Sequence, residues 1–169
     1  DWDFCQIQFN YMDENYQAGV EGLRYAAAKG LAVVIMEPLR GGKLAKNMPA
    51  EVQALWDQTG TGRTPADWAF RWVCNFPEVT VVLSGMGTLE EVKQNIATMS
   101  EAEPNSLTAE ELALFKQAQE FFLQRTRVKC TDCRYCLPCP QGVVIPEVFA
   151  IWNDSVIYNR LEEGKRWYK

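Results

Sequence analysis

Four cysteines crowd into ten residues: Cys130-Thr-Asp-Cys133-Arg-Tyr-Cys136-Leu-Pro-Cys139, with Pro140 directly after. Spacing by three lets one loop wrap several thiolates around a single compact inorganic core. A [4Fe–4S] cube presents its irons close together, so three thiolates from one tight loop can reach three of them. Structural zinc is the alternative. It prefers a tetrahedron built from two Cys-x-x-Cys arms on separated segments, which a uniform spacing in one loop suits poorly. Free or disulfide-bonded cysteines are the third possibility. Pro140 has no N–H to donate and turns the chain away.

The run is C-x2-C-x2-C-x2-C-P, one residue short of the bacterial run C-x2-C-x2-C-x3-C-P, in which the fourth cysteine ligates the other cluster of a pair. Cys130, Cys133 and Cys136 are therefore expected on one cube, with Cys139 as the odd ligand. Cys5 and Cys74 stand alone in apolar surroundings and read as packing residues. A secreted disulfide framework would spread its cysteines to staple loops together. This clustering fits a reduced compartment, so the expected location is cytoplasmic.

The 169 residues contain no histidine, which excludes Ser/His and Cys/His pairs, HExxH zinc sites and any histidine base. Net charge is −5, so a general nucleic-acid surface is not expected. The charge is uneven, −6 over residues 1–104 and +1 over residues 105–169. No apolar run approaches the ~18 residues a membrane span needs. No secretory leader is visible, and the chain opens at Asp1 without an initiator methionine.

The elements that must position any site follow a simple order. Residues 4–9 read as a short strand, and 10–18 as a polar loop. Helical spacing over 20–29 stops at Gly30. Residues 31–36, Leu-Ala-Val-Val-Ile-Met, form a continuous apolar run that fits a strand buried on both faces. A tight loop over 38–42 follows. Helices are expected over 49–58 and, with Thr64 as cap and Pro65 at its first position, from 65 to about 75. Residues 79–83 read as another buried strand. Thr88-Leu-Glu-Glu91 and Thr108-Ala-Glu-Glu111 are capping boxes that open two further helices. A last helix is expected from Pro146 to about Tyr158. Repeated β–α units imply a parallel sheet over 1–104, with a helical segment over 105–169.

Residues 1–100 resemble the C-terminal third of the aldo/keto reductase family. The matching pieces are Phe4-Cys-Gln-Ile-Gln-Phe-Asn10, Val34-Ile-Met-Glu-Pro-Leu-Arg-Gly-Gly42, and Val81-Val-Leu-Ser-Gly85 with Glu91 to Asn95. They are similar to the sixth, seventh and eighth strands of that (β/α)8 barrel with their loops. The Cys run, with Gln141-Gly-Val-Val-Ile-Pro146 after it, resembles the ferredoxin-type [4Fe–4S] extension of one subgroup. The implied fold is α/β: about three βα units from the C-terminal part of a TIM-type barrel, then a small helical iron–sulfur segment. The implied domains are 1–104 and 105–169. A whole barrel needs eight strands and about 250 residues, and the family's catalytic Asp, Tyr, Lys and His lie on its first half. The subgroup also carries a second Cys run. The chain is therefore expected to be a fragment cut at both ends, with no catalytic residue of its own.

The resemblance implies cofactor contacts for NAD(P). Gln6 matches the strand-end glutamine that holds the nicotinamide carboxamide. Met36 falls where many members place an aromatic ring. Pro38, Leu39, Gly41 and Gly42 match the loop beside the pyrophosphate. Gln94 and Asn95 match the adenine-contacting pair. Glu91 stands where NADP-dependent members often have an Arg for the 2′-phosphate. The implied activity is hydride transfer between a nicotinamide and a carbonyl or alcohol, coupled to single-electron transfer through the cluster. Arg125, Arg127, Lys129 and Arg134 flank the cluster and could dock an acidic electron-carrier protein. Two other readings are a non-catalytic iron–sulfur electron-transfer module and a zinc-stabilised interaction domain.

Overall fold

A computed structural model describes residues 2–130 and 132–168. The chain divides into two compact units, Asp1–Gln117 and Ala118–Lys169. The division falls inside a helix rather than at the Pro104 break. Phe115, in that helix, is buried in the aromatic core of the first unit, which holds residues 105–117 with the sheet.

The first unit runs β1 (Phe4–Gln8), α1 (Gly19–Ala28), β2 (Ala32–Met36), α2 (Ala50–Asp57), α3 (Pro65–Cys74), β3 (Val81–Val82), α4 (Leu89–Glu101) and the start of α5 (Ala109–Arg125). The strands form one parallel sheet in the order β1-β2-β3. Gln6 pairs with Val34, and Val34 with Val81. This is the expected strand order. β3 is shorter than expected, although Thr80 N–H still donates to Val33 O at 3.0 Å and Leu83 N–H to Ile35 O at 2.9 Å, and Thr80 Oγ1 accepts Val33 N–H at 3.1 Å.

The sheet corrects one expectation. The apolar runs over 31–36 and 79–83 fit strands buried on both faces, yet only one face is covered. Val33 and Ile35 point into the core. On the other face Phe4 is 59% exposed and Val81 45%, with Met36 and Leu83 also exposed. A continuous apolar run has no period to distinguish the two faces. Cys5 and Cys74 are half-buried rather than buried. Burial nonetheless pushes the Cys74 thiol pKa up, with Arg71 acting against the shift.

The covered face is closed by rings. Trp56 of α2 stacks on Trp68 of α3 at 5.3 Å, and Phe115 lies 5.1 Å from Trp56. Tyr11 meets Phe115 at 5.3 Å, and Phe9 meets Trp72 at 5.0 Å. Large rings bury much area per residue and favour tilted contacts, so they join helices of different direction into one core.

The second unit contains the rest of α5, the cysteine loop, α6 (Ile145–Ile157) and α7 (Leu161–Trp167). α7 was not expected. Leu161-Glu-Glu-Gly164-Lys-Arg-Trp carries no apolar period. It packs through Gly164, where an added Cβ would lie 1.9 Å from Ser155 Oγ. The approach to the cysteine loop is tied to α6. Asn153 Oδ1 accepts the N–H of Arg127 at 2.9 Å and of Val128 at 3.0 Å, and its amide donates to Val128 O at 2.8 Å. Among the described residues no helix is long and apolar enough to cross a membrane.

Candidate functional site

The β2–α2 connection begins where β2 ends. Glu37, Arg40, Gly41 and Gly42 all take positive φ, at 55°, 49°, 64° and 84°. Glycine adopts that region without a Cβ penalty, so two of the four positions are relieved of strain. Arg40 N–H donates to Glu37 O, and Leu44 N–H to Leu39 O, so the loop is a chain of tight turns.

Beneath the loop lies a polar knot at the ends of β1 and β2. Asn10 Nδ2 donates to Asp13 Oδ2 at 2.9 Å and to Glu37 O at 3.0 Å. Asn10 Oδ1 accepts the N–H groups of Met12 and Asp13. Gln8 Nε2 donates to Asp13 Oδ2 at 2.7 Å, and Arg40 Nε sits 3.8 Å from the same oxygen. Asn10 and Asp13 are buried, and a satisfied buried network fixes its surroundings. Asn10 therefore couples the end of β1 to the start of the glycine loop. Sequence reading treated 10–18 as an ordinary polar loop, because nothing in its local pattern names Glu37 O as a partner.

The opposite wall is the start of α4. Thr88 caps it: its Oγ1 accepts Glu91 N–H at 3.2 Å, and Glu91 Oε2 accepts Thr88 N–H at 3.1 Å and Gly87 N–H at 2.8 Å. The capping box read from the sequence is present. Asn95 Nδ2 donates to Ser84 Oγ at 3.0 Å, and Gln94 Nε2 to Glu90 Oε1 at 3.2 Å.

Between these walls is a cleft of about 650 Å³. Such a volume suits a small-molecule or cofactor site. Pro38, Leu39, Gly41 and Gly42 line one side, Gln94 and Asn95 the other, and Thr64 to Ala66 at the start of α3 also contribute. Gln6 is not in the lining. It lies on the open sheet face, where its Nε2 donates to Met36 Sδ at 3.2 Å. The two positions matched to the nicotinamide are thus brought together, beside Glu37 at the cleft edge.

Sequence reading missed Lys46. Its Nζ lies 2.9 Å from Glu91 Oε1, so an ion pair joins the two walls. That pair and the two backbone N–H groups hold the Glu91 carboxyl down at about 2, with the Lys46 hydrogen bond the largest cause. The native carboxyl then binds its proton later than the unfolded one, ordinarily at 4.5. Its contribution to stability is complete above the unfolded value and fades as pH falls toward 2. Lys46→Met should raise the Glu91 titration midpoint, read by carbon NMR of its carboxyl. An unchanged midpoint would show that the backbone donors alone hold the charge.

The expected metal ligands lie in an irregular loop. All four thiols are free; Cys130, Cys133 and Cys136 are exposed and Cys139 is half-buried. Asp132 and Arg134 take positive φ, and Asp132 N–H donates to Cys130 Sγ at 3.4 Å. Among the described residues no three Cys, His, Asp or Glu side chains are gathered to hold a metal ion. The structure therefore does not bring the four thiols together. Their chemistry still suits an iron–sulfur group: four accessible thiols, one already accepting a backbone N–H.

The model of the aldo/keto reductase family matches residues 1–120. Comparison with curated proteins and with solved structures gives no significant match. The match spans the sheet, the glycine loop and both walls of the cleft. The chain belongs to the aldo/keto reductase family, whose members are oxidoreductases built on a TIM-type barrel and typically use NAD(P).

Proposed function

We propose that the cleft between the β2–α2 loop and α4 holds the adenosine and pyrophosphate portion of a nicotinamide dinucleotide. The carrying observation is that Pro38, Leu39, Gly41, Gly42, Gln94 and Asn95 line a single cleft. Gly41 and Gly42 let backbone approach the pyrophosphate closely. Asn95 and Gln94 offer amides to the adenine edge, each able to donate and accept. Gln6 reaches the carboxamide from the sheet end. When bound, the dinucleotide supplies a hydride for exchange with a carbonyl or alcohol. These residues bind and orient it; none of them is assigned to proton transfer.

The same proposal gives Cys130, Cys133, Cys136 and Cys139 to a [4Fe–4S] group, which supplies single-electron transfer. The second unit, from residue 118 onward, acts as the segment that carries it. Arg127, Lys129 and Arg134 give its surroundings positive charge suited to an acidic electron carrier. A reduced, cytoplasmic setting keeps the thiols available.

The test is calorimetric titration of the full chain with NADH and NADPH. At least one should bind, and Gln94→Ala should weaken it by roughly tenfold, the scale of one or two lost hydrogen bonds. Absence of binding by both would overturn the cleft assignment.

A further inference from the structure

Met36 ends β2 on the uncovered sheet face, diagonal to Gln6 on β1: the register sets Gln6 opposite Val34 and Gln8 opposite Met36. Its side chain is 37% exposed, and Gln6 is exposed as well. Gln6 Nε2 donates to Met36 Sδ at 3.2 Å. A thioether is a weak acceptor, so this amide is lightly held and free to turn to a better partner. The same sulfur is open to solvent, and peroxide converts an accessible thioether to a sulfoxide.

We propose that Met36 is a peroxide-sensitive modification site whose sulfoxide captures the Gln6 amide and releases the nicotinamide end of the dinucleotide. The release rests on the cleft assignment above; the capture of Gln6 does not. In the step, Met36 Sδ attacks one oxygen of hydrogen peroxide, the O–O bond breaks and an S–O bond forms. The other oxygen takes the remaining proton and leaves as water. The sulfur loses two electrons and the peroxide gains them. The new oxygen carries negative charge one bond from the atom that Gln6 Nε2 already contacts, and it accepts far better than a thioether does. Gln6 then stays on the sulfoxide and no longer turns to a carboxamide. Sulfoxide reduction returns the thioether, so the change is reversible. Met86 is also exposed, but it lines the cleft beside Gln94 and Asn95, so its oxidation acts on the adenosine side rather than on the nicotinamide end.

The test uses the full 169-residue chain, its Met36→Leu variant and dilute hydrogen peroxide, removed before each measurement. Peptide mass mapping should find one added oxygen on Met36; none there overturns the modification site. Without any nucleotide, the Gln6 side-chain amide resonance, identified by its loss in Gln6→Leu, should move downfield when the parent is oxidised and should not move in Met36→Leu. An unmoved resonance in a parent carrying the oxygen overturns the capture. Whichever of NADH and NADPH the chain binds is then titrated beside the matching ADP-ribose fragment, which lacks the nicotinamide. The oxidised parent should lose about tenfold more affinity for the dinucleotide than for the fragment, the scale of one or two hydrogen bonds. Methionine sulfoxide reductases should restore it, as they would not after cysteine overoxidation. Equal losses for the two ligands, or the same excess loss in oxidised Met36→Leu, overturn the release. If neither dinucleotide binds before oxidation, the cleft assignment fails and the release with it, while the amide resonance still decides the capture.

Discussion

Replacing Cys130, Cys133 or Cys136 singly by alanine is expected to remove most of the brown chromophore from the anaerobically reconstituted chain. In the proposed cluster each of these thiols would hold one iron, and nothing nearby could replace it, because the chain has no histidine and only two other cysteines outside the run. The three are exposed, whereas Cys139 is half-buried. Cys139→Ala should therefore retain more colour than the other three, consistent with the odd ligand of the sequence spacing. The measurement is visible absorption with iron, sulfide and zinc analysis. Equal loss at all four positions would put Cys139 on the same cube. A colourless protein containing one zinc would replace the iron–sulfur proposal with a structural metal site.

Trp68→Ala should be the most damaging single truncation in the first unit. Trp68 is fully buried, stacks on Trp56, and lies 5.9 Å from Phe115. Arg63 also covers its ring, at 4.8 Å. Large-to-alanine changes at such sites cost about 3–5 kcal/mol. Against a total stability of roughly 5–15 kcal/mol, that is a large share. The start of α3 lines the cleft, so dinucleotide binding should fall with stability. Urea unfolding followed by circular dichroism checks this. Trp152→Ala, at a half-exposed position in the second unit, is the control and should shift stability by only about 0.5 kcal/mol. A loss below about 1 kcal/mol at Trp68 would mean the core closes over the gap.

What could be read from the sequence was local. Thr64-Pro65, Thr88 with Glu91, and the apolar run over 31–36 each carry their signal within a few residues. They predicted the start of α3, the start of α4 and the central strand. The order β1-β2-β3 followed because β–α–β crossovers are right-handed and short. What could not be read was relational. The uncovered sheet face depends on what packs against it, and Val34 and Val33 look alike in sequence. Asn10 matters through Glu37 O, and Lys46 through Glu91, partners 27 and 45 positions away. α7 depends on the missing Cβ of Gly164 rather than on any apolar period of its own.

The stacked indoles also have an optical consequence. Trp56 and Trp68 lie 5.3 Å apart with their planes inclined by 22°. Transition dipoles that close mix, and each indole sits away from water, so this pair should give an exciton-split circular dichroism signal and blue-shifted emission. Trp152 and Trp167 belong to the other unit and are exposed, so their light should be red-shifted and easily quenched by a dissolved collider such as iodide. Trp2 is exposed in the sheet-bearing unit, so with Trp2→Phe in place the red-shifted light reports the second unit and the blue-shifted light the first. Heating a single sample would show whether the sheet-bearing unit and the cysteine-bearing unit melt together or in turn.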